Sequence, residues 1–492
     1  MKITLNPYYV LKNDDGCALL LGKRALADEQ DFFDTNINSF IHPFHAQILS
    51  FVNGGEYEYV ISEISESLGI DTCKVKKFID ALIENKHTIG PIYNGIPLGF
   101  PRRTIIKSDY CRQPAYSTSD FEYDHIDVMM KRHKTPTNLT LMVNNICATD
   151  CVYCYADKRK PTNLKLPLTR INELLVEARS LGVMDFGING GELFTYKEWR
   201  ELLRMFYDNG YQPYISTKYP LKEDDVDFLA SLGMPYIQIS LDSMCEEHLV
   251  NILRVRPNYV QEIRNAFSLL EKYNIPVIVH SILTKYGDEE EDIISVHKFL
   301  SQFSNIRYWL IEAAGPSIYS KYRFSDFKPD KAKLARVNVI IEDIRKNASY
   351  RIFANLSNTF QQATNISYNQ KMDNFMGRGL CSGSFSSMYI LPNGEVTICE
   401  ELYWHPEFII GDVRKQSLLE IWQSEKAKRF YHLKQCNIPK DSACADCEFY
   451  HDCRNIRQTC YRDTIKAYGL DKWYYPDANC PKAPTPLFET KL

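Results

Sequence analysis

Cys147, Cys151 and Cys154 stand close together in the segment CATDCVYC, just after the apolar run Leu139–Ile146. Three thiolates on one short loop can hold three irons of a four-iron cluster and leave the fourth iron with an open position. An open metal position can bind and activate a substrate. The competing readings are three buried structural cysteines or a zinc site. Zinc usually takes four protein ligands in a structural site, and no fourth Cys or His lies nearby in the sequence. Further along, a second strand-like run, Met184–Ile188, leads into Gly190-Gly191-Glu192, where missing Cβ atoms allow close backbone approach.

Other polar residues sit where strand-like runs end. Ser216-Thr217-Lys218 closes one run, and Gln238, Ser240 and Asp242 share one face of the next. Three polar side chains on one strand face are costly inside a core unless they meet a ligand or each other. Asp242-Ser243 could also simply cap a helix. Arg254 and His280 lie near strand ends as well, and His280 reads as an ordinary core histidine. A second concentration of chemistry lies beyond residue 375, with eight of the fifteen cysteines. Cys381 and Cys399 bracket a hairpin signal, Pro392-Asn393-Gly394, between the apolar runs Met388–Leu391 and Val396–Ile398. Cys444, Cys447, Cys453, Cys460 and finally Cys480 follow. A zinc ribbon would suit Cys444-x2-Cys447, yet seven cysteines in this order exceed what one zinc needs. Cys17, Cys73, Cys111 and Cys245 belong to no motif and read as buried apolar residues.

The elements that must carry these residues follow from periodicity. Strand-like runs at Leu139–Ile146, Met184–Ile188, Pro213–Ser216, Tyr236–Leu241, Val277–Leu283 and Ile306–Ile311 alternate with amphipathic stretches. Those stretches are Leu168–Leu181, Lys197–Asp208, Glu223–Leu232, Asn258–Tyr273 and Glu289–Gln302. Such alternation predicts an α/β fold with a parallel sheet and right-handed crossovers. Chemistry in barrels of this kind sits at the C-terminal strand ends, where the candidate residues fall. Residues 1–88 read as a separate module: a hairpin around Asn13-Asp14-Asp15-Gly16, then helices over Pro43–Val52, Tyr57–Leu68 and Asp71–Glu84. Either Asp71 or Thr72 can cap the last helix. Strands followed by three short helices predict a winged-helix-like shape. Residues 89–135 carry Pro and Gly punctuation and read as linker.

A chain of 492 residues calls for two or three domains. Its net charge of −4 gives no reason to expect a nucleic-acid partner. Residues 1–100 hold 13 acidic against 8 basic side chains, a poor match for a phosphate backbone. No apolar stretch approaches the length of a membrane helix, and no signal peptide is evident at the start. A cytoplasmic setting without a membrane partner is therefore expected, and fifteen cysteines there argue for metal ligation over disulfides.

Cys-x3-Cys-x-aromatic-Cys followed by Gly-Gly-Glu resembles the signature of the radical S-adenosylmethionine (radical SAM) enzymes, with Tyr153 as the aromatic residue. The family often has Pro after the Glu, where this chain has Leu193. The resemblance implies a partial (β/α)6 TIM-like barrel over residues 136–315 and a [4Fe-4S] cluster on Cys147, Cys151 and Cys154 that binds SAM. It implies SAM contacts at Gly190, Gly191, Glu192, Ser216, Thr217, Ser240, Asp242 and Tyr153, the glycine carbonyls accepting from the amino group. A bridging helical segment, 316–374, would lead to residues 375–492, whose cysteine order resembles the SPASM extension with two auxiliary [4Fe-4S] clusters. By that pattern Cys444, Cys447, Cys453 and Cys480 hold one cluster, and Cys381, Cys399 and Cys460 the other. Its fourth position is left open or filled by Cys436. The spacing before Cys460 is six residues, where the family has three.

The first module resembles, in shape and position, the precursor-recognition element of radical SAM enzymes that modify ribosomal peptides. The implied partners are a precursor peptide, its leader held by that module through strand addition, and a reductant such as flavodoxin or ferredoxin. The implied activity is cross-linking of the peptide, most simply by a thioether, otherwise by a C–C or C–O bond. Two alternatives stay open. One is an anaerobic sulfatase-type formylglycine maturase, which generally lacks the first module. The other is a non-enzymatic iron–sulfur or zinc regulator.

Overall fold

The structure is a computed structural model that describes residues 1–22, 38–111, 115–158, 165–356, 367–379 and 381–490. The chain divides into two units. One comprises residues 1–137 with 179–185, and the other residues 138–178 with 186–492. Among the described residues, no helix is long and apolar enough to cross a membrane.

Among the described residues, the first unit holds two three-stranded antiparallel sheets, a two-stranded ribbon of Ile92–Tyr93 with Ile96–Pro97, and three α-helices. Tyr9–Asp14 and Cys17–Gly22 form the expected hairpin, and Asn38–Ile41 adds to its second strand. Lys2–Leu5 is the centre of another sheet, flanked by Asn53–Glu56 and Ile105–Lys107. The helices are Pro43–Ser50, Tyr57–Leu68 and Thr72–Leu82. Asp71, not Thr72, caps the third helix, because its carboxylate accepts from the Cys73 and Lys74 amides at 3.0 and 3.2 Å. Val75, Ile79 and Leu82 turn the helix's apolar stripe inward, each at most 1% exposed.

Residues 89–135 are not a free linker. Ile105 pairs with Leu5, and Phe100, Phe121 and Val128 are buried in the same unit. Their prolines and glycines mark turns between packed segments, which local composition cannot tell from a tether.

The second unit contains all six expected strands, divided between two sheets. Ser216–Thr217, Ile237–Ser240, Val277–Leu283 and Ile306–Ala313 form consecutive parallel neighbours. A strand not foreseen, Arg351–Asn355, continues this sheet in parallel, so the segment 316–374 is not purely helical. Asn138–Met142 and Asp185–Asn189 belong to the other sheet, which continues into Ser387–Ile390, Glu395–Thr397 and Ile409–Asp412. The third strand shrinks to Ser216–Thr217, where four residues from Pro213 were expected. Pro213 has no N–H to give a ladder, which weakens that edge.

The tail is thus continuous with the strand that delivers the first cysteines: Ser387–Ile390 runs parallel to Asn138–Met142, with Met388 opposite Leu139. The expected turn at Pro392-Asn393-Gly394 is present, and Gly394 supplies its φ of 89°. Helices Leu168–Ser180, Trp199–Asp208, Glu223–Ser231, Tyr259–Lys272 and Glu290–Leu300 lie within the expected amphipathic stretches. Glu246–Leu253 is an additional short helix.

Candidate radical and iron–sulfur sites

The loop bearing the three cysteines is pinned from both sides. The Asp150 and Val152 amides donate to the Leu253 and Ile252 carbonyls, each at 2.9 Å, so the unforeseen helix Glu246–Leu253 braces it. On the other side the Gly191 and Glu192 amides donate to the Asn144 and Ile146 carbonyls at 2.7 and 2.8 Å. Asn144 adds a clamp, donating from Nδ2 to the Glu192 carbonyl at 3.2 Å. A Cβ on Gly191 would stand 2.0 Å from the Ile146 oxygen, and one on Gly190, at φ 135°, 2.5 Å from the Asn144 oxygen. The two glycines are therefore required by this close seam, whatever else their carbonyls contact.

A measurable consequence follows. Gly191→Ala must push the Ile146 segment away, and Ile146 immediately precedes Cys147. Reconstituted Gly191→Ala protein is expected to lose the iron of one cluster by chemical iron assay. Full iron content with an unchanged melting temperature would show that the seam does not shape the loop.

Cys151 is buried and hydrogen-bonded to the Thr149 hydroxyl (3.3 Å), while Cys147 and Cys154 are partly exposed. Burial pushes the Cys147 thiol up to about 12, with the neighbouring Cys154 and Cys151 adding to it and Lys158 opposing. Burial raises Cys151 as well, with Lys218 as the main opposing charge. The three sulfurs thus feel one another and are flanked by two lysines, a donor set that suits a metal-bound thiolate trio. Among the described residues, no three His, Cys, Asp or Glu side chains converge on a single ion. A cubane places each thiolate on a different iron, so the trio fits a cluster better than one zinc.

Several of the other expected site residues lie against this loop. Tyr153 donates to Asp242 at 2.5 Å, and Asp242 also accepts from the Ile282 amide at 2.9 Å. Burial and the Asp242 carboxylate hold the Tyr153 hydroxyl far above its usual range. Glu192 is 5% exposed, and burial raises its carboxyl despite amide donors from Phe194 and Lys218. Thr217 is buried beside it and contributes a further side-chain bond to that carboxyl. Ser216 and Ser240 are both tied to Gln238, whose Nε2 donates to their hydroxyls at 2.7 and 3.2 Å. That strand face satisfies itself at Gln238 and Ser240, so its polarity alone does not demand a ligand.

Lys218, which closes the third-strand run, joins this group although no spacing pattern singles it out. Burial would lower its ammonium, yet Asp242, Cys151, Cys154 and Glu192 outweigh that and raise it. Its Nζ also lies 5.5 Å from the centre of the Tyr153 ring. The signal was its place directly after Ser216-Thr217. Asn189 and Glu400 are further unforeseen members, each next to a motif residue: Asn189 Nδ2 donates to Glu400 at 2.5 Å and to the Tyr155 hydroxyl at 3.1 Å. His280 pairs with Glu312 at 2.9 Å and is not among these contacts.

In the tail, Cys444, Cys447, Cys453 and Cys480 line one cavity. Burial lifts the Cys480 thiol to about 12, and the other three cysteines add to the shift. Cys381, Cys399 and Cys460 form a separate group: Cys381 raises both Cys399 and Cys460 beyond the effect of burial. The longer spacing before Cys460 is taken up by a π-helical turn, His451–Ile456, and a left-handed Gln458 at φ 66°. Cys436 is exposed and acts on Tyr450 together with Cys444, so it stands beside the first group, not with the trio.

With this geometry in place, sequence comparison is decisive for residues 141–300, which match the Radical SAM superfamily, and for 381–448, which match the SPASM iron–sulfur cluster-binding domain. The chain carries a radical SAM domain and a SPASM domain. Domains of these two kinds use S-adenosylmethionine and iron–sulfur clusters. The chain is 29% identical over 169 residues to the sporulation killing factor maturation protein SkfB of Bacillus subtilis (strain 168). That match covers 32% of this chain and 39% of SkfB, so it spans well under half of the relative. The structure of Streptococcus suis SuiB bound to S-adenosylmethionine aligns with a TM-score of 0.62 at 18% identity, over 97% of this chain and 99% of SuiB. SuiB bound to its precursor peptide SuiA aligns equally well, at 17% identity over 98% and 100%. At these identities the likeness to SuiB is one of fold.

Proposed function

We propose that this radical SAM/SPASM chain is a peptide maturase that installs a cross-link, most simply a thioether and otherwise a C–C or C–O bond, in a ribosomally made precursor peptide. Cys147, Cys151 and Cys154 hold the SAM-binding cluster. Gly190, Gly191, Glu192, Ser216, Thr217, Ser240, Asp242 and Tyr153 surround the cofactor in a partial six-strand barrel. Cys444, Cys447, Cys453 and Cys480 hold one auxiliary cluster, and Cys381, Cys399 and Cys460 another. When bound, the cluster and SAM supply a 5′-deoxyadenosyl radical that removes hydrogen from a substrate carbon. The chain's own work is positioning. The seam at Gly190–Glu192 fixes the cysteine loop, Lys218 balances its negative charge, and the buried walls keep water from the reactive centre. A flavodoxin or ferredoxin serves as reductant.

The observation that carries this reading is a cysteine trio, with no fourth ligand among the described residues, in the same unit as a second, four-cysteine cavity. Anaerobically reconstituted protein given dithionite and SAM is expected to release 5′-deoxyadenosine. Its absence from protein with full iron content would remove the enzymatic reading.

The first unit is the leader-binding module in this proposal. A groove of about 410 Å³ lies along the helix Thr72–Leu82, floored by Phe78, Ala81, Leu82, Ile89 and Phe100 and rimmed by Lys74 and Lys77. Lys76 pairs with Glu58, whereas Lys74 and Lys77 have no ion-pair partner among the described residues. Two unpaired cations beside an apolar floor suit an apolar side chain next to acidic ones. Lys74→Glu/Lys77→Glu is expected to weaken precursor binding tenfold or more, by fluorescence anisotropy, and to leave SAM cleavage without peptide unchanged. Unaltered peptide affinity would place the leader elsewhere.

A further inference from the structure

Arg454 is 2% exposed and lines the same cavity as Cys444, Cys447, Cys453 and Cys480. One of its nitrogens, Nη2, donates to the Cys444 sulfur at 3.4 Å and to the Tyr474 and Tyr475 carbonyls at 3.1 and 2.5 Å. Its Nε and Nη1 are buried without any partner. A buried guanidinium left this incomplete is costly, and among the described residues no carboxylate pairs with it. Arg378 approaches from the other side. Its Nη2 donates to the Cys453 sulfur at 3.1 Å and to the Cys453 and Gln458 carbonyls at 3.0 and 2.7 Å, and the guanidinium stacks on Phe375 at 4.0 Å. It too has no carboxylate partner among the described residues. The neighbouring group differs: near Cys381, Cys399 and Cys460 the cation is Arg462, already held by Glu401 at 2.8 Å and Asp463 at 3.0 Å.

We propose that Arg378 and Arg454 are redox-tuning residues, which raise the reduction potential of the cluster on Cys444, Cys447, Cys453 and Cys480 above that of the cluster on Cys381, Cys399 and Cys460. The inference rests on the cluster assignments made above. Reduction adds one electron, hence one negative charge, to a cluster already made negative by four thiolates. Two guanidiniums hydrogen-bonded to its sulfurs outnumber the one buried carboxylate that lines the cavity, Asp477, and stabilise that extra charge; charge together with hydrogen bonds to sulfur sets such potentials. The Arg462 charge is offset by two carboxylates, so the trio gains no comparable help. An electron supplied by dithionite would therefore reside preferentially on the cluster that Cys444, Cys447, Cys453 and Cys480 would hold between Arg378 and Arg454.

The test is an EPR-monitored potentiometric titration of the full-length, anaerobically reconstituted protein. Arg378→Gln is expected to lower one midpoint by at least a tenfold change in the reduction equilibrium, about 59 mV for one electron. The other midpoints and the iron content should stay as they are, and Arg378→Lys should recover most of the shift. Arg454→Lys provides a second, charge-keeping comparison at the buried position, with a smaller shift expected. Unmoved midpoints in Arg378→Gln at full iron content would overturn the proposal. So would loss of iron in Arg378→Gln and Arg378→Lys alike, because a tuning residue leaves the cluster assembled. Wild-type protein with no cluster at this site would instead defeat the cluster assignment beneath it.

Discussion

Cys151→Ala protein is expected to release no 5′-deoxyadenosine from SAM under reducing, oxygen-free conditions, and to hold one cluster fewer than the parent. Cys151 is the most enclosed of the three, with the Thr149 hydroxyl as its one hydrogen-bond partner among the described residues. Removing a single buried sulfur costs about 1–2 kcal/mol of packing, a loss a domain normally survives. The loop keeps its braces to Leu253, Ile252, Asn144 and Ile146, all made by backbone groups. The fold should therefore persist while the cluster site falls to two thiolates. The tail cysteines belong to other segments, so their iron should remain. Iron assay and product analysis on one sample separate the outcomes. Cleavage by protein lacking Cys151 would end the assignment of this loop, even if the chain proved to be an enzyme by another route.

Much of this site could be read from spacing because its chemistry is local. Cys147, Cys151 and Cys154 are on one loop, and Gly190-Gly191-Glu192 is contiguous, so a linear pattern carries both. Helix positions were legible for a similar reason: periodicity and an Asp cap are properties of a short stretch, and Asp71 behaves as its type demands. What escaped is what depends on distant partners. Arg351–Asn355 has no distinctive pattern, and it becomes a strand because Ile306–Ala313 offers a free edge. Residues 89–135 resemble a tether in composition, and only the pairing of Ile105 with Leu5 makes them part of a core. The glycines belong to this class too. Their type was rightly tied to close approach, but the nearest neighbour is the Asn144–Ile146 backbone. Lys218 illustrates the general limit: a lysine at a strand end is ordinary until the fold brings Asp242, Glu192 and Cys151 around it.

That convergence makes Lys218→Met the second substitution of large expected effect. The ammonium stays charged despite burial because two carboxylates and two thiols of the loop surround it. An apolar replacement of similar length keeps the volume and removes the charge. Asp242 would keep its bonds from Tyr153 and the Ile282 amide but lose its cation, with Glu192 buried alongside. Lys218 acts on Asp242 through space, not through a direct ion pair, and is itself half-buried, so a loss of about 1–2 kcal/mol is expected. Chemical denaturation of the iron-free protein should register this loss, so the result does not depend on any cofactor. Lys218→Met/Asp242→Asn should then regain part of the stability, because the second change removes the charge that the first left unpaired. Equal stabilities for the single and parent proteins would mean that water, not Lys218, neutralises Asp242. The same variant, reconstituted, should shed its iron to a mild chelator faster than Lys218→Arg does, because the thiolates lose the cation nearest Cys151.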